Sequence, residues 1–397
     1  MSSGNIFTPF REEELMPVEE KLEVLKKESK FTIGVPKETS LNERRTCITP
    51  DAVQVLVSHG HDIVIEAETG KGSFFTDEQY AEAGARITTD PKEAFGQDLV
   101  LKINPPTEEE IDYLKNNSHL ISALQINLRT PAYFKKLAEK KINAIAFEFI
   151  SDEYKQLPLV RLIGEIAGTA AILYSSELLA LSNGNMLGGV TGVRPTEVVV
   201  IGAGIVGEFA VKAALGLGAS VKVFDNSLSK LRRLHMMIDG RVPTSIIDPK
   251  ELSKNVRRAD VVIGALPRTC MEPIVTEEMV RQMKKGSVII DVTVDYGKVV
   301  ETTEITTLTD PYVVKHGVIH CGLPNLTSRI PRTTSKAISN FFLSYLLSYD
   351  KEGGIDNMFI HKVEMKQSLY MYKGRHTKKV ICDLFGLPYH DINLLMF

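Results

Sequence analysis

Gly202, Gly204 and Gly207 stand in the stretch EVVVIGAGIVGEFAVKAALGLGA, directly after one apolar run and at the head of another. Where a strand turns into a helix, glycines at this spacing do three separate jobs. They allow a tight turn, let the backbone approach a pyrophosphate, and let helix and strand pack closely. The helix N-terminus adds N–H groups and a partial positive charge for phosphates. The next apolar run, SVKVFD, ends on Asp225, at the distance where an acid can bind a ribose 2′-hydroxyl and would repel a 2′-phosphate. The loop Gly202, Ala203, Gly204 and Gly207 together with Asp225 therefore predicts a dinucleotide site that takes NAD rather than NADP. The plainer alternative is a glycine-rich turn in a nucleotide-free sheet, with Asp225 capping a loop.

A second group of residues suits a small acid. Arg44 and Arg45 lie in ETSLNERRTCITP, Lys102 in DLVLKINPP, and Gln125 at the end of the apolar stretch HLISALQIN. Arginine offers a carboxylate a bidentate fork and lysine a point charge. Each alone is more often a solvated surface charge. The case for a site is that three predicted strand ends bring them to one face, and parallel sheets bind ligands outside those ends.

The elements that must position these residues follow from hydrophobic periodicity. From Phe31 the chain alternates strands (FTIGVP, DIVIEAE, DLVLKI, HLISAL, NAIAFE) with helices (TPDAVQVLVSHG capped by Thr49, DEQYAEAG, EEEIDYLK, PAYFKKLAEKK). A long helical stretch over Leu162–Leu181 follows, and then a second series through EVVVIGAG, SVKVFD, TSIID, DVVIGAL and SVIIDVT. This pattern predicts an α/β protein of two doubly wound parallel-sheet domains with a cleft between them. The NAD-binding domain is expected over 161–330. The substrate domain is expected to be discontinuous, 31–160 plus 331–397, because the helix SKAISNFFLSYLLSY can return to it. Residues 1–30 read as an N-terminal extension in which Val18, Leu22 and Leu25 recur at helical spacing.

The totals exclude other classes. At 397 residues the chain is too long for one core. A net charge of −3 and no basic stripe with interleaved aromatics argue against nucleic acid as a partner. Four separated cysteines form no metal-binding or disulfide framework and fit a reducing cytoplasm. No metal is expected. The N-terminus has no signal-peptide pattern, and the apolar runs near Ile166–Ser176 and Phe341–Tyr349 are short for a bilayer, so no membrane partner is expected.

The chain resembles the alanine dehydrogenase family, and more distantly the start of the proton-translocating transhydrogenase alpha subunit. The stretches that carry the resemblance are VPKETSLNERRTCITP, KGSFFTDEQYAEAGA, DLVLKINPP, LGGVTGV before VVVIGAGIVG, IIDVTVDYG, LPNLTSRIPRTTSKAISN and LYMYKGRHTKKVICDLFGLPY. They run from about Phe31 to about Tyr389. The PRT segment and the tail favour the dehydrogenase branch. The resemblance implies that Arg45 binds substrate carboxylate with Lys102 beside it, and that Asp295 assists catalysis next to the nicotinamide. It also implies that Asn325 lines the cleft, Asp225 and Lys230 hold the adenosine ribose, and Leu266 and Val294 line the cofactor groove. A homo-oligomer, a hexamer, is implied in the same way.

Gln125 departs from that family, which resembles it everywhere nearby but carries a catalytic histidine there. Deamination moves protons, and glutamine can orient water or an imine but cannot usefully exchange a proton. His119 is six residues away, roughly 20 Å at strand rise. His320, at another strand end, could approach the cleft. Asp295 is left as the best proton carrier. Gly164 and Leu326 are lesser departures. The resulting expectation is NAD-dependent interconversion of L-alanine with pyruvate and ammonia, with Asp295 and Gln125 as the catalytic pair. The alternatives are a dehydrogenase of another amino acid or 2-oxo acid, and a catalytically impaired NAD-binding paralogue.

Overall fold

The computed structural model describes residues 31–267, 272–352, 357 and 362–396. The helix expected around Val18, Leu22 and Leu25 lies outside the described residues. Short aliphatic runs form the strands. Those of the first sheet are β1 (Thr32–Val35), β2 (Asp62–Glu66), β3 (Arg86–Thr88), β4 (Leu99–Leu101), β5 (His119–Ser122) and β6 (Asn143–Ala146). Those of the second are β7 (Glu197–Ile201), β8 (Ser220–Phe224), β9 (Thr244–Ser245), β10 (Val261–Gly264), β11 (Val288–Asp291), β12 (Val313–Lys315) and β13 (Val318–Cys321). The chain then returns to the first sheet with β14 (Leu369–Tyr372) and β15 (Arg375–His376).

Both sheets repeat one topology. The first runs β15-β14-β6-β5-β4-β1-β2-β3 and the second β12-β13-β11-β10-β7-β8-β9. Strands β1 to β6 pair in parallel, as do β7 to β11 and β13, while β12, β14 and β15 add antiparallel edges. Each sheet therefore reverses direction once, between β1 and β4 and between β7 and β10. Ligands bind doubly wound sheets at such switch points, outside the carboxyl ends of the strands. Helices cover both faces, which is why β10 and β11 are buried at every position and read as unbroken apolar runs.

The connector is a 26-residue helix, Pro158–Asn183, with Pro at its start and Gly184 in the left-handed conformation at its end. It lies against helix Ile205–Gly216, and small residues permit the approach. A Cβ on Gly164 would come within 3.1 Å of Ile205 Cγ2, and one on Gly168 within 2.2 Å of the Val206 carbonyl oxygen. The whole helix is longer than its apolar runs alone implied. It is long and apolar enough, by length and composition, to cross a bilayer, but 56% of its apolar window is buried within the protein, as in a core helix.

Helix Pro331–Glu352 packs back on the first core through Ile338, Phe342 and Leu346. Thr49 precedes helix Pro50–Ser58 as expected, but its hydroxyl meets Ser339 Oγ at 3.1 Å instead of capping its own helix. The returning helix is fastened by polar as well as apolar contacts.

Candidate active site

The loop after β1, the end of β4 and the helix Glu108–Tyr113 meet at the first switch point and gather five ionisable side chains. Arg45, 4% exposed, directs Nε and Nη2 at the two oxygens of Glu43, at 2.7 and 2.6 Å. Its Nη1 donates to Thr327 Oγ1 at 2.9 Å. A guanidinium has five N–H donors, and these three bonds use one on Nε and one on each Nη. Burial would lower the Arg45 pKa, but Glu43 outweighs it and holds the group charged. Lys102 is 1% exposed, with Nζ 3.2 Å from Glu38 and 3.7 Å from Glu110. Burial opposes its charge too, and the two glutamates restore it, raising its pKa. Glu38 also accepts from the Ile103 and Asn104 N–H groups, at 2.6 and 3.3 Å, although burial pushes its carboxyl up.

Glu43 is the hub of this corner. Besides Arg45 it accepts from Asn325 Nδ2 at 3.0 Å and Ser328 Oγ at 2.9 Å. Asn325 is in the left-handed conformation, φ 58°, and opens the turn Leu326–Arg329 after β13. Leu326 points into the second core. The carboxyl ends of the two sheets thus face each other and share buried hydrogen bonds.

Gln125 lies three residues beyond the end of β5, not within the strand, and has φ 48° and ψ 56°. Its Nε2 donates to Asn104 Oδ1 at 3.0 Å. The N–H groups of Leu124 and Gln125 donate to Glu148 Oε1 at 2.7 and 3.3 Å. His119 is at the opposite end of β5. His320 is fully buried, between Thr302 Oγ1 at 2.8 Å and the Val318 carbonyl oxygen at 3.0 Å, and burial lowers its pKa to about 4. It is a neutral interior histidine and does not reach the cleft.

The second switch point carries the glycine loop. Gly202 has φ +115°, and a Cβ there would lie 2.4 Å from the Ala265 carbonyl oxygen. A Cβ on Gly207 would lie 1.8 Å from the Gly202 carbonyl oxygen, so this glycine is required for helix–strand packing. A Cβ on Gly204 would meet nothing within 4 Å, and no side chain caps the helix that starts after it. That is the open, N–H-lined space a pyrophosphate needs. Asp225, 2% exposed, accepts from the Ala203 N–H at 2.7 Å through one oxygen and from the Ser227 N–H at 2.7 Å through the other. It ties the loop to the end of β8. Lys230 is exposed one helical turn on, its N–H directed at Ser227 Oγ. Leu266 is half-buried after β10, and Val294 is buried after β11.

Asp295 occupies a short turn held from behind by Asp291. The Asp291 carboxylate accepts from the N–H groups of Thr293, Val299 and Val300 at 3.2, 2.7 and 3.2 Å. Asp295 itself is exposed, yet the surrounding protein desolvates its carboxyl enough to raise its pKa. Among the described residues no cluster of His, Cys, Asp and Glu could hold a metal. The sequence did not single out Glu38, Glu43, Glu110, Asn104, Glu148 or Thr327. Acidic partners and loop hydroxyls carry no spacing signal, and only the fold brings them to the basic pair.

The comparisons agree with one another. The family described as Alanine dehydrogenase/PNT, N-terminal domain, matches residues 34–167, and its C-terminal domain matches 167–379. Alanine dehydrogenase of Staphylococcus haemolyticus (strain JCSC1435) is 37% identical over 366 residues, 91% of this chain and 98% of that protein. Alanine dehydrogenase 2 of Staphylococcus aureus (strain USA300) matches to the same extent. Among solved structures, an L-alanine dehydrogenase superposes with a TM-score of 0.81 at 32% identity, covering 89% of this chain and 99% of that one. A transhydrogenase from Sinorhizobium meliloti shares the fold, with a TM-score of 0.74 at 23% identity over 88% of this chain and 99% of that one. With a buried basic pair at one switch point and a dinucleotide loop at the other, this chain belongs to the alanine dehydrogenase family.

Proposed function

We propose that this protein catalyses the NAD-dependent oxidation of L-alanine to pyruvate and ammonia, and the reverse reductive amination. The observation that carries the reading is the basic pair Arg45 and Lys102, buried yet kept charged by Glu43, Glu38 and Glu110. Buried cations held this way form a ready carboxylate site. The two uncommitted N–H groups of Arg45 hold the substrate carboxylate, Lys102 supports it, and Asn325 lines the same wall. NAD, when bound, supplies the hydride acceptor for Cα. Gly202, Ala203, Gly204 and Gly207 cradle its phosphates, Asp225 and Lys230 hold the adenosine ribose, and Leu266 and Val294 line the groove. Asp295, with its raised pKa, moves protons at the cleft mouth, while Gln125 orients water and the imine by hydrogen bonds.

In this reading residues 31–160 with 331–397 form the catalytic domain, 161–330 the NAD domain and 1–30 an extension. The protein works as a cytoplasmic homo-oligomer, a hexamer. Exposed Leu181, Met186, Val190 and Val193 offer apolar surface for such an assembly.

One observation favours a second reading, another amino acid or 2-oxo acid as substrate. Gln125 is tied to Asn104, so the cleft presents a fixed amide where a titrating group would serve alanine chemistry best. The test is NADH absorbance with pyruvate and ammonium. Consumption of NADH that requires both supports the alanine reading. NADH binding without turnover, alongside turnover with a different 2-oxo acid, transfers the assignment to that substrate.

A further inference from the structure

Glu148 is a half-buried acid that the proposed reaction does not use. It sits in the short turn Phe147–Phe149 at the end of β6, next to β5 in the first sheet. One oxygen, Oε1, takes the two consecutive N–H groups of Leu124 and Gln125. The other, Oε2, is closed to solvent and has no hydrogen-bond partner among the described residues. Buried polar atoms are almost always paired, so an orphan oxygen directly behind a site residue calls for a functional explanation.

The backbone of Gln125 supplies it. A glutamine in the left-handed region is held there against its preference, and such strain persists only where the surroundings impose it. Two contacts impose it here: the Asn104 bond on the side chain and the Glu148 clamp on the backbone. We propose that Glu148 is a positioning residue for the reaction, its carboxyl clamping the Leu124–Gln125 turn so that the Gln125 amide is presented beside Asn104, and that protonation of this one carboxyl loosens the clamp. The inference rests on the alanine dehydrogenase reading for its kinetic consequence, though not for its structural one.

The charge on Oε1 strengthens both N–H bonds, and a neutral acid holds them less well. Burial raises the pKa of Glu148, against the pull of its own backbone N–H and of the Leu124 and Gln125 N–H groups, which brings the change nearer to neutral pH. The groups that face it are Tyr133 on helix Pro131–Glu139, Tyr370 on β14 and Tyr296 beside Asp295, all of which feel its charge, with Arg129 acting on the same two buried tyrosines. None of these is a carboxylate, and among the described residues no cation pairs with Glu148 directly, so burial and the backbone N–H groups govern its ionisation.

Two variants separate clamp from charge. Glu148→Gln keeps an acceptor oxygen but cannot titrate, and Glu148→Ala removes both. Hydrogen exchange of the segment 119–128 reads the clamp without any substrate. Exchange should quicken at least tenfold in Glu148→Ala, quicken by less in Glu148→Gln, and depend on pH beyond the intrinsic chemistry in the native protein but not in Glu148→Gln. In turnover with pyruvate and ammonium, Glu148→Ala should lose tenfold or more in kcat with KM for NADH unchanged. Glu148→Gln should lose the acid limb of the pH profile, with kcat near that of the native protein on its acid side and above that of Glu148→Ala. Unchanged exchange in Glu148→Ala overturns the proposal, as does loosened exchange with intact kcat, or an acid limb that survives in Glu148→Gln. If the native protein is silent with pyruvate and ammonium, the alanine reading fails, and the exchange data alone decide whether Glu148 clamps the turn.

Discussion

Arg45 and Thr327 are 282 residues apart in the chain and joined by a 2.9 Å hydrogen bond from Nη1 to Oγ1. The same guanidinium holds Glu43, and Glu43 holds Asn325 and Ser328 from the opposite sheet. The residue expected to grip the substrate is therefore also part of the junction between the two halves.

Arg45→Met should fail twice. It removes the carboxylate fork, so KM for pyruvate should rise at least a hundredfold. It also leaves Glu43 buried and uncompensated, which costs about 3–5 kcal/mol of stability. In the double variant Arg45→Met/Glu43→Gln most of that stability should return while KM stays high. Chemical denaturation and steady-state kinetics on the two variants separate the roles; a double variant as unstable as the single one would refute the burial argument.

The three glycines should behave differently when given a methyl group. Gly207→Ala drives a Cβ into the Gly202 carbonyl and should destabilise the fold by several kcal/mol or leave it unfolded. Gly204→Ala meets only open space, so its melting temperature should stay near native while NADH affinity falls tenfold or more. Thermal denaturation and NADH fluorescence titration check the contrast. Unchanged NADH affinity in Gly204→Ala would mean that the open space does not belong to the cofactor.

Gln125→His should raise kcat for alanine. Histidine tolerates the left-handed region better than most residues, so the φ of 48° is no barrier. A proton-exchanging side chain there should add tenfold or more, since general acid–base groups contribute about 10²–10⁴. A fall in kcat would show that the native amide is itself required.

The parts of this protein that were legible in its sequence are those built from local patterns. The second sheet was legible because strand, glycine loop, helix and acid follow one another within a few dozen residues. Arg45 and Lys102 were legible by their charge and by their places after predicted strands. What could not be read was made by distant partners. The two-residue strand β9 was overread from TSIID, and β14 and β15 were not read as strands, because an antiparallel edge far along the chain has no period to announce it. Gln125 was placed at a strand end, but β5 stops at Ser122, and the intervening turn is imposed by Glu148 from the neighbouring strand's end. Glu43 sits next to Arg44 and Arg45 in the sequence, where nothing marks it as their partner, and only the fold buries it.

His320 gives a stability signature at acid pH. Its folded pKa of about 4 lies below the unfolded value near 6.5. Between those limits the unfolded chain binds a proton that the folded one refuses. The contribution is therefore complete above about pH 6.5 and is lost as pH falls toward 4, amounting to roughly 3 kcal/mol. His320→Gln should flatten the dependence of denaturation midpoint on pH in that window, whatever its effect on stability at neutral pH. An unchanged slope would mean that other groups dominate acid unfolding.

The pairing of β14 with β6 has a consequence for how the protein is made. Leu369 lies opposite Ile145, so the edge of the first sheet is completed by chain synthesised more than two hundred residues after the strand it covers. All strands of the second sheet have emerged by Cys321. On a ribosome the later-coded half can close first, while the earlier-coded half waits with β6 exposed until the tail arrives. Contacts of such long sequence separation are slow to form, and an unpaired strand edge invites association with other chains. The nascent first half therefore carries an open strand edge until the tail is made.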